Sequence, residues 1–422
     1  MQTTSGGRRL DAGFIIGILV VGAAASLLGE HQPKLAVVLV LAVAFLGFLA
    51  TRPVLAAVAA VPAVYGFQSV GLGGGLGVSD VLLVVTMFLA LPAIAHSPEM
   101  QSLTTLNRSF ALYALLLVPS LLVNQTGAAD REVLHRFILV SGAAVVGAWL
   151  VYEHAETAAL KSLLVVSTVL AVVAGLTALT NGFRPAEPFG YNKNYLGSLL
   201  ALTLVIMLCA PEHLAVSTSV RVPAIALLIA GTVACQSRGA ILGAGAGGLL
   251  WLFAPRQGTG VAGRNRVVAL LLAASFVGYS GYSVQQQFTS ANKKTNSAGV
   301  RLDVEAYTRD LWRTSPVVGI GIRYFNTGNY GFLGINPNNA IDAELAESGL
   351  VGTAGFVAFH VAILLALWRR RRSQLGIAAL AVVVGQLLHG QFDNYWSSGI
   401  TPLPFIIAGM ALAGAAQREA SA

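Results

Sequence analysis

Charge is scarce in this sequence. Only 10% of its 422 residues are Asp, Glu, Lys or Arg, against roughly 25% in a soluble globular domain. With 55% hydrophobic residues and a mean hydropathy of +0.72, a water-soluble fold is excluded. Cysteine is scarcer still. Cys209 and Cys235 both fall inside apolar runs, so neither a disulfide framework nor a cysteine metal site is implied. The chain has no aspartate–x–aspartate pair, no His/Cys cluster and no internal repeat. GLGGGLG at 71–77 has the glycine content of a phosphate loop but lacks its lysine and a preceding strand; it reads as an external turn. The pI near 9.7 is not a nucleic-acid signature here, because membrane proteins place excess Lys and Arg at the cytoplasmic ends of their helices.

Long apolar runs are what the chain has in quantity. A spanning helix needs about 20 mostly apolar residues. Fourteen segments qualify: 10–29, 35–51, 53–70, 78–95, 106–123, 132–152, 160–180, 193–211, 222–237, 239–254, 267–284, 349–368, 374–390 and 399–417. Several are short, which leaves twelve as the other count, and the pair around 236–240 also fits a re-entrant hairpin. The first run resembles a signal peptide superficially, but so many others follow that it reads as a retained helix. The expectation is an all-α, polytopic helical bundle. With the N-terminus inside, the short inner segments gather Arg8, Arg9, Arg52, Arg264, Arg266 and the run Arg369–Arg372, far more positive charge than the outer ones. Short loops decide orientation, so N-in and C-in follow, with 285–348 outside. This divides the chain into an N-terminal bundle over 1–284, an external segment over 285–348 and C-terminal helices over 349–422.

The external segment opens with a helix expected over 297–315, bounded by Ser297 as N-cap and Pro316 beyond its end. Val300, Val304, Tyr307 and Leu311 fall on one apolar stripe at about 100° per residue. Arg301, Glu305, Arg309, Trp312 and Arg313 lie opposite, with Arg301 and Glu305 spaced as an i,i+4 pair. A glycine- and aromatic-rich stretch follows, in which Tyr324, Phe325, Tyr330 and Phe332 suit an interfacial belt or stacking on sugar rings. The chain turns helical again in NNAIDAELAESGLVG, where Asn338 and Asp342 share a face one turn apart. Asp342, Glu344 and Glu347 then enter the membrane edge, where ionisable groups are costly and functional by default.

QSRGA at 236–240 joins two apolar runs with almost no loop. Arg238 there needs a partner or an anion, and its fork suits phosphate oxygens; the plainer reading is an arginine that snorkels to the interface. On the same expected side, FRPAEPFGYNKNYLG supplies Arg184, Lys193 and Asn194. Arg184, Lys193, Arg238 and Arg301 together would neutralise a diphosphate where water is sparse.

Taken in order, GYNKNYLG, QSRGAILGA, VRLDVEAYTRDLWRTSPVVGIGIRYF and PNNAIDAELAESGLVG resemble the signature segments of the O-antigen ligase and polymerase superfamily of bacterial membrane glycosyltransferases, over roughly residues 180–365. The resemblance matches Lys193, Asn194, Arg238, Arg301, Pro316, Gly319, Gly321, Asn339, Glu347, Gly349 and Gly352 to motif positions. It implies a metal-independent, inverting transfer without cofactor. The donor would be a glycan on polyprenyl diphosphate, and the acceptor a hydroxyl on a glycan or glycolipid, with no nucleic acid involved. Arg238 and Arg301 would hold the diphosphate, with Arg184, Lys193 and Asn194 nearby. One departure stands out: the family's proposed base, a histidine, corresponds to Asn338, whose amide takes no proton. Asp342 is the expected replacement, with Glu344 and Glu347 behind it. Two other readings stay open, a lipid-linked oligosaccharide flippase and an inactive relative. His389 approaching the outer cavity with Asp393 is a further, minor expectation. The expected location is the bacterial plasma membrane, with the active site on its outer side and membrane lipids as surroundings.

Overall fold

A computed structural model describes residues 52–66, 71–73, 76–123, 129–253, 278, 297–326, 337–393 and 401–420. The expected spans at 10–29, 35–51 and 267–284 lie outside these residues, as do Tyr330 and Phe332 (only residue 278 of the third span is described). The remaining expected spans coincide with helices. In chain order these begin with α1 (Val54–Gly66), α2 (Val78–Ile94), the short α3 (Pro98–Ser102) and α4 (Thr104–Val123). One continuous run follows, of α5 (Ala129–Phe137), a π-turn (Ile138–Gly142) and α6 (Ala143–Tyr152). Beyond it come α7 (Glu156–Thr180), α8 (Lys193–Cys209), a single turn α9 (Pro211–Leu214), α10 (Thr218–Cys235) and α11 (Arg238–Phe253). The last four are α12 (Ser297–Thr314), α13 (Ala340–Arg370), α14 (Gln374–His389) and α15 (Pro402–Ala420). Residues 57–422 form one compact unit; of the preceding unit, Met1–Ala56, only 52–56 are described.

The fold is an all-α polytopic membrane bundle. Among the described residues, five helical segments have both the length and the apolarity to cross a bilayer: Thr104–Val123, Arg131–Tyr152, Glu156–Thr180, Thr218–Cys235 and Ala340–Arg370. Six shorter apolar helices accompany them. Leu115, Leu122, Val165, Leu176, Val361 and Leu365 are exposed on these helices, which is the surface lipid requires and water penalises. Small residues let backbones meet without a hydrophobic drive between helices. At the α11–α14 crossing, a Cβ on Gly385 would stand 2.8 Å from the Gly243 carbonyl oxygen.

Three expectations are refined or changed. The two ends of GLGGGLG, Gly71–Gly73 and Leu76–Gly77, pair as a short antiparallel ladder, with Gly71 opposite Gly77 and Gly73 opposite Leu76. The span expected at 349–368 starts at Ala340, so α13 carries Asp342, Glu344 and Glu347 within itself and kinks at Gly349 (φ 66°, ψ −167°). In α12, Glu305 pairs with Arg309 at 3.5 Å and Asp310 with Arg313 at 2.8 Å, whereas Arg301 faces a cleft. The amphipathic pattern itself holds: Val304 is buried, and Tyr307 and Leu311 are half-buried.

Candidate functional site

Lys193 and Asn194 open α8, Arg238 and Gly239 open α11, and His389 closes α14. Together with Arg301 of α12, Gln236 and Phe392, they line one cleft of about 60 Å³. A single water needs about 10–15 Å³ on the same measure, so the space admits several oxygen-sized groups. Two helix N-termini face it, and the N-terminal end of a helix favours an anion. Asn192 caps α8, its Oδ1 accepting from the Asn194 N–H at 2.8 Å. Ser237 caps α11, its Oγ accepting from the Ala240 N–H at 3.4 Å. Between them, Gln236 reverses the chain with a left-handed backbone (φ 52°). Its side-chain amide donates to the Phe183 carbonyl at 2.8 Å, and the Ala186 N–H donates to the Ala234 carbonyl at 3.0 Å. These two bonds pin the 182–192 loop to the end of α10, beside the cleft.

Four of the expected site residues, Lys193, Asn194, Arg238 and Arg301, therefore meet. Arg184 does not line the cleft; it is exposed in the adjoining loop, its backbone N–H bonded to the Asn181 side chain at 3.0 Å. Asn338 is half-buried just ahead of α13, where Asn339 is the N-cap, accepting from the Ile341 and Asp342 N–H groups. Asp342 is half-buried on the first turn, under the electrostatic influence of Arg309 rather than at the cleft. The α13 start is nonetheless tied to the cleft, because the Ala340 N–H donates to the Gly390 carbonyl at 2.7 Å, one residue beyond His389.

Glu347 belongs to a second constellation, a buried ionic network. Arg136 in α5 reaches Glu132 Oε1 at 3.1 Å, Glu344 Oε2 at 2.8 Å and Glu347 Oε2 at 3.8 Å. It also bonds the Tyr113 hydroxyl, which in turn donates to Glu344 Oε1 at 2.9 Å. His135 lies 3.4 Å from Asp80 and 3.8 Å from Glu132. Arg323, from the segment after α12, closes on Glu132 at 2.7 Å. Sequence reasoning marked Glu344 and Glu347 but missed Glu132, His135, Arg136, Tyr113 and Asp80. The signal was the charge density of DREVLHR at 130–136, at the head of an otherwise apolar run. The same segment after α12 exchanges backbone bonds with the α13 kink. Ile320 N–H donates to Ala346, Gly321 N–H to Glu347, and Leu350 N–H to Pro316, all at 2.9–3.0 Å. Phe325 is buried beside this network and its backbone N–H lies 3.5 Å from Glu347 Oε1, so it is no part of an interfacial belt.

Among the described residues, no group of His, Cys, Asp and Glu is arranged to hold a metal ion. Comparison with protein-family models and with curated proteins finds no match.

Proposed function

We infer that the protein is a membrane glycosyltransferase, similar to the O-antigen ligases and polymerases. It would move a glycan from polyprenyl diphosphate to an acceptor hydroxyl on a glycan or glycolipid. The observation that supports this best is the convergence of Lys193, Arg238 and Arg301, from three distant stretches of chain, on one cleft at two helix N-termini. In this reading Arg238 and Arg301 clamp the diphosphate, whose oxygens match the guanidinium fork. Lys193 adds a point charge, and the Asn194 side chain supplies a hydrogen-bond donor. Cations placed where leaving-group charge develops lower the barrier directly, since that charge is greater in the transition state than in the bound donor. The cleft would open to the outer side of the bacterial plasma membrane, with both chain termini cytoplasmic. Ligase and polymerase differ only in the acceptor and share this chemistry.

The test uses purified protein in liposomes that hold a labelled polyprenyl-diphosphate glycan and an acceptor glycolipid. Free polyprenyl diphosphate should be released. Release should fall about 10²–10³-fold in Arg301→Ala, the scale of removing one preorganised donor at a developing anion. Movement of label between leaflets without cleavage would overturn the reading in favour of a flippase. Neither signal, in protein that is folded, would leave an inactive relative.

A further inference from the structure

A transfer to a hydroxyl leaves a proton to be placed, and the lining of the cleft narrows where it goes. Lys193, Arg238 and Arg301 offer donors only, and the amides of Asn194 and Gln236 are not basic. Among the described lining residues, the remaining side chain with proton chemistry is His389, whose imidazole can both accept and release a proton. The fold holds it firmly. His389 is 2% exposed at the last turn of α14. Its ring packs on the first turn of α11, where Gly239 leaves the room: a Cβ on Gly239 would overlap the imidazole and stand 3.2 Å from the Phe392 Cβ. Arg301 acts on the ring electrostatically.

Resting on the transferase reading above, we propose that His389 is the catalytic base of this cleft. The acceptor oxygen bonds to the anomeric carbon as its proton passes to the imidazole. The carbon–oxygen bond to the diphosphate breaks, and its electron pair stays on the diphosphate held by Arg238 and Arg301. The imidazolium then returns its proton to water or to the new diphosphate terminus, which restores the starting state. The charged side chains that line the cleft with the ring are Lys193 from α8, Arg238 from α11 and Arg301 from α12; Asp393 follows in the next turn, its backbone N–H donating to the His389 carbonyl at 3.1 Å. Asp342, the carboxylate expected from sequence to serve as base, is not among the lining residues.

The experiment measures kcat for donor cleavage against pH, and polyprenyl diphosphate binding, in the parent protein, His389→Gln and Asp342→Asn. Glutamine keeps a polar side chain of similar reach but does not titrate. His389→Gln should lower kcat about 10²–10⁴-fold, abolish the acid limb of the profile and leave polyprenyl diphosphate binding near the parent value. Asp342→Asn should keep the parent profile. Near-parent turnover in His389→Gln, or a loss that retains the acid limb, overturns the proposal while the transferase reading stands. Parent protein that does not cleave the donor overturns both. Should His389→Gln fail to fold, His389→Asn replaces it, with the same expected loss of turnover and of the acid limb.

Discussion

Gly349 and Gly319 each occupy a backbone conformation that side chains resist, with φ at 66° and 75°, and they do so against each other. A Cβ on Gly349 would meet the Val317 carbonyl and stand 2.5 Å from the Gly319 nitrogen; one on Gly319 would meet the Glu347 carbonyl and stand 2.6 Å from the Gly349 nitrogen. The two glycines let the segment after α12 lie directly on the kink of α13 and trade the hydrogen bonds that the kink frees. Their place in the motif was legible in the sequence, but their reason was not, since it depends on a contact between two turns about thirty residues apart. Gly349→Ala should therefore cost at least about 3 kcal/mol, combining strain of about 1–3 kcal/mol at such a φ/ψ with the overlap. Gly245→Ala, in α11 with nothing within 4 Å of its would-be Cβ, should be neutral or slightly stabilising, because alanine suits a helix interior better than glycine. Thermal unfolding of the two variants in detergent checks the contrast, and equal losses would mean that the kink contact carries no special stability.

At the scale of elements, the segment from Ser315 to Asn326 acts as a strap between α12, which carries Arg301, and the buried network beneath it. Arg323 adopts a left-handed backbone (φ 64°) and brings its guanidinium to a Glu132 side chain with no exposed surface. Removing one partner of a buried pair leaves the other charge uncompensated, at a cost of about 3–5 kcal/mol. Glu132→Gln and Arg323→Gln should each destabilise the protein, and the pair should couple by about 0.5–3 kcal/mol in a double-mutant cycle. Additive losses would show that the two side chains stand near one another without sharing energy. This network was largely hidden from sequence reading. Asp80, Glu132, Arg323 and Glu344 sit on separate elements, so nothing in their spacing announces that they meet. Helices were legible because a bilayer forces about 20 apolar residues per crossing. Partnerships between the few charged residues depend on which helices end up adjacent, and hydropathy does not record that.

At the scale of the whole molecule, the chain's alternation can be read from either end of the bundle. The start of α8, the end of α10, the start of α11 and the end of α14 all converge on the cleft, as strictly alternating crossings require. The run Arg369–Arg372 lies at the opposite end of α13 and α14. The cationic site was legible to the extent that four motif residues were expected together and meet; His389, a further expectation for this cavity, lines it as well, though its helix-end position in sequence gave no sign of the neighbours it has. The proposed orientation follows the positive charge of the short loops and has Arg372 inside and the cleft outside. The parent thiols, Cys209 and Cys235, are both buried, so single added cysteines report on sidedness with little background. Phe189→Cys, at a site 76% exposed in the loop beside the cleft, should react with a membrane-impermeant maleimide in intact cells. Arg372→Cys, exposed at the other end, should react only after permeabilisation. The reverse pattern would put the cleft on the cytoplasmic face, where it would meet lipid-linked donors before they cross the membrane, and the proposed transfer to an outer acceptor would have to be abandoned.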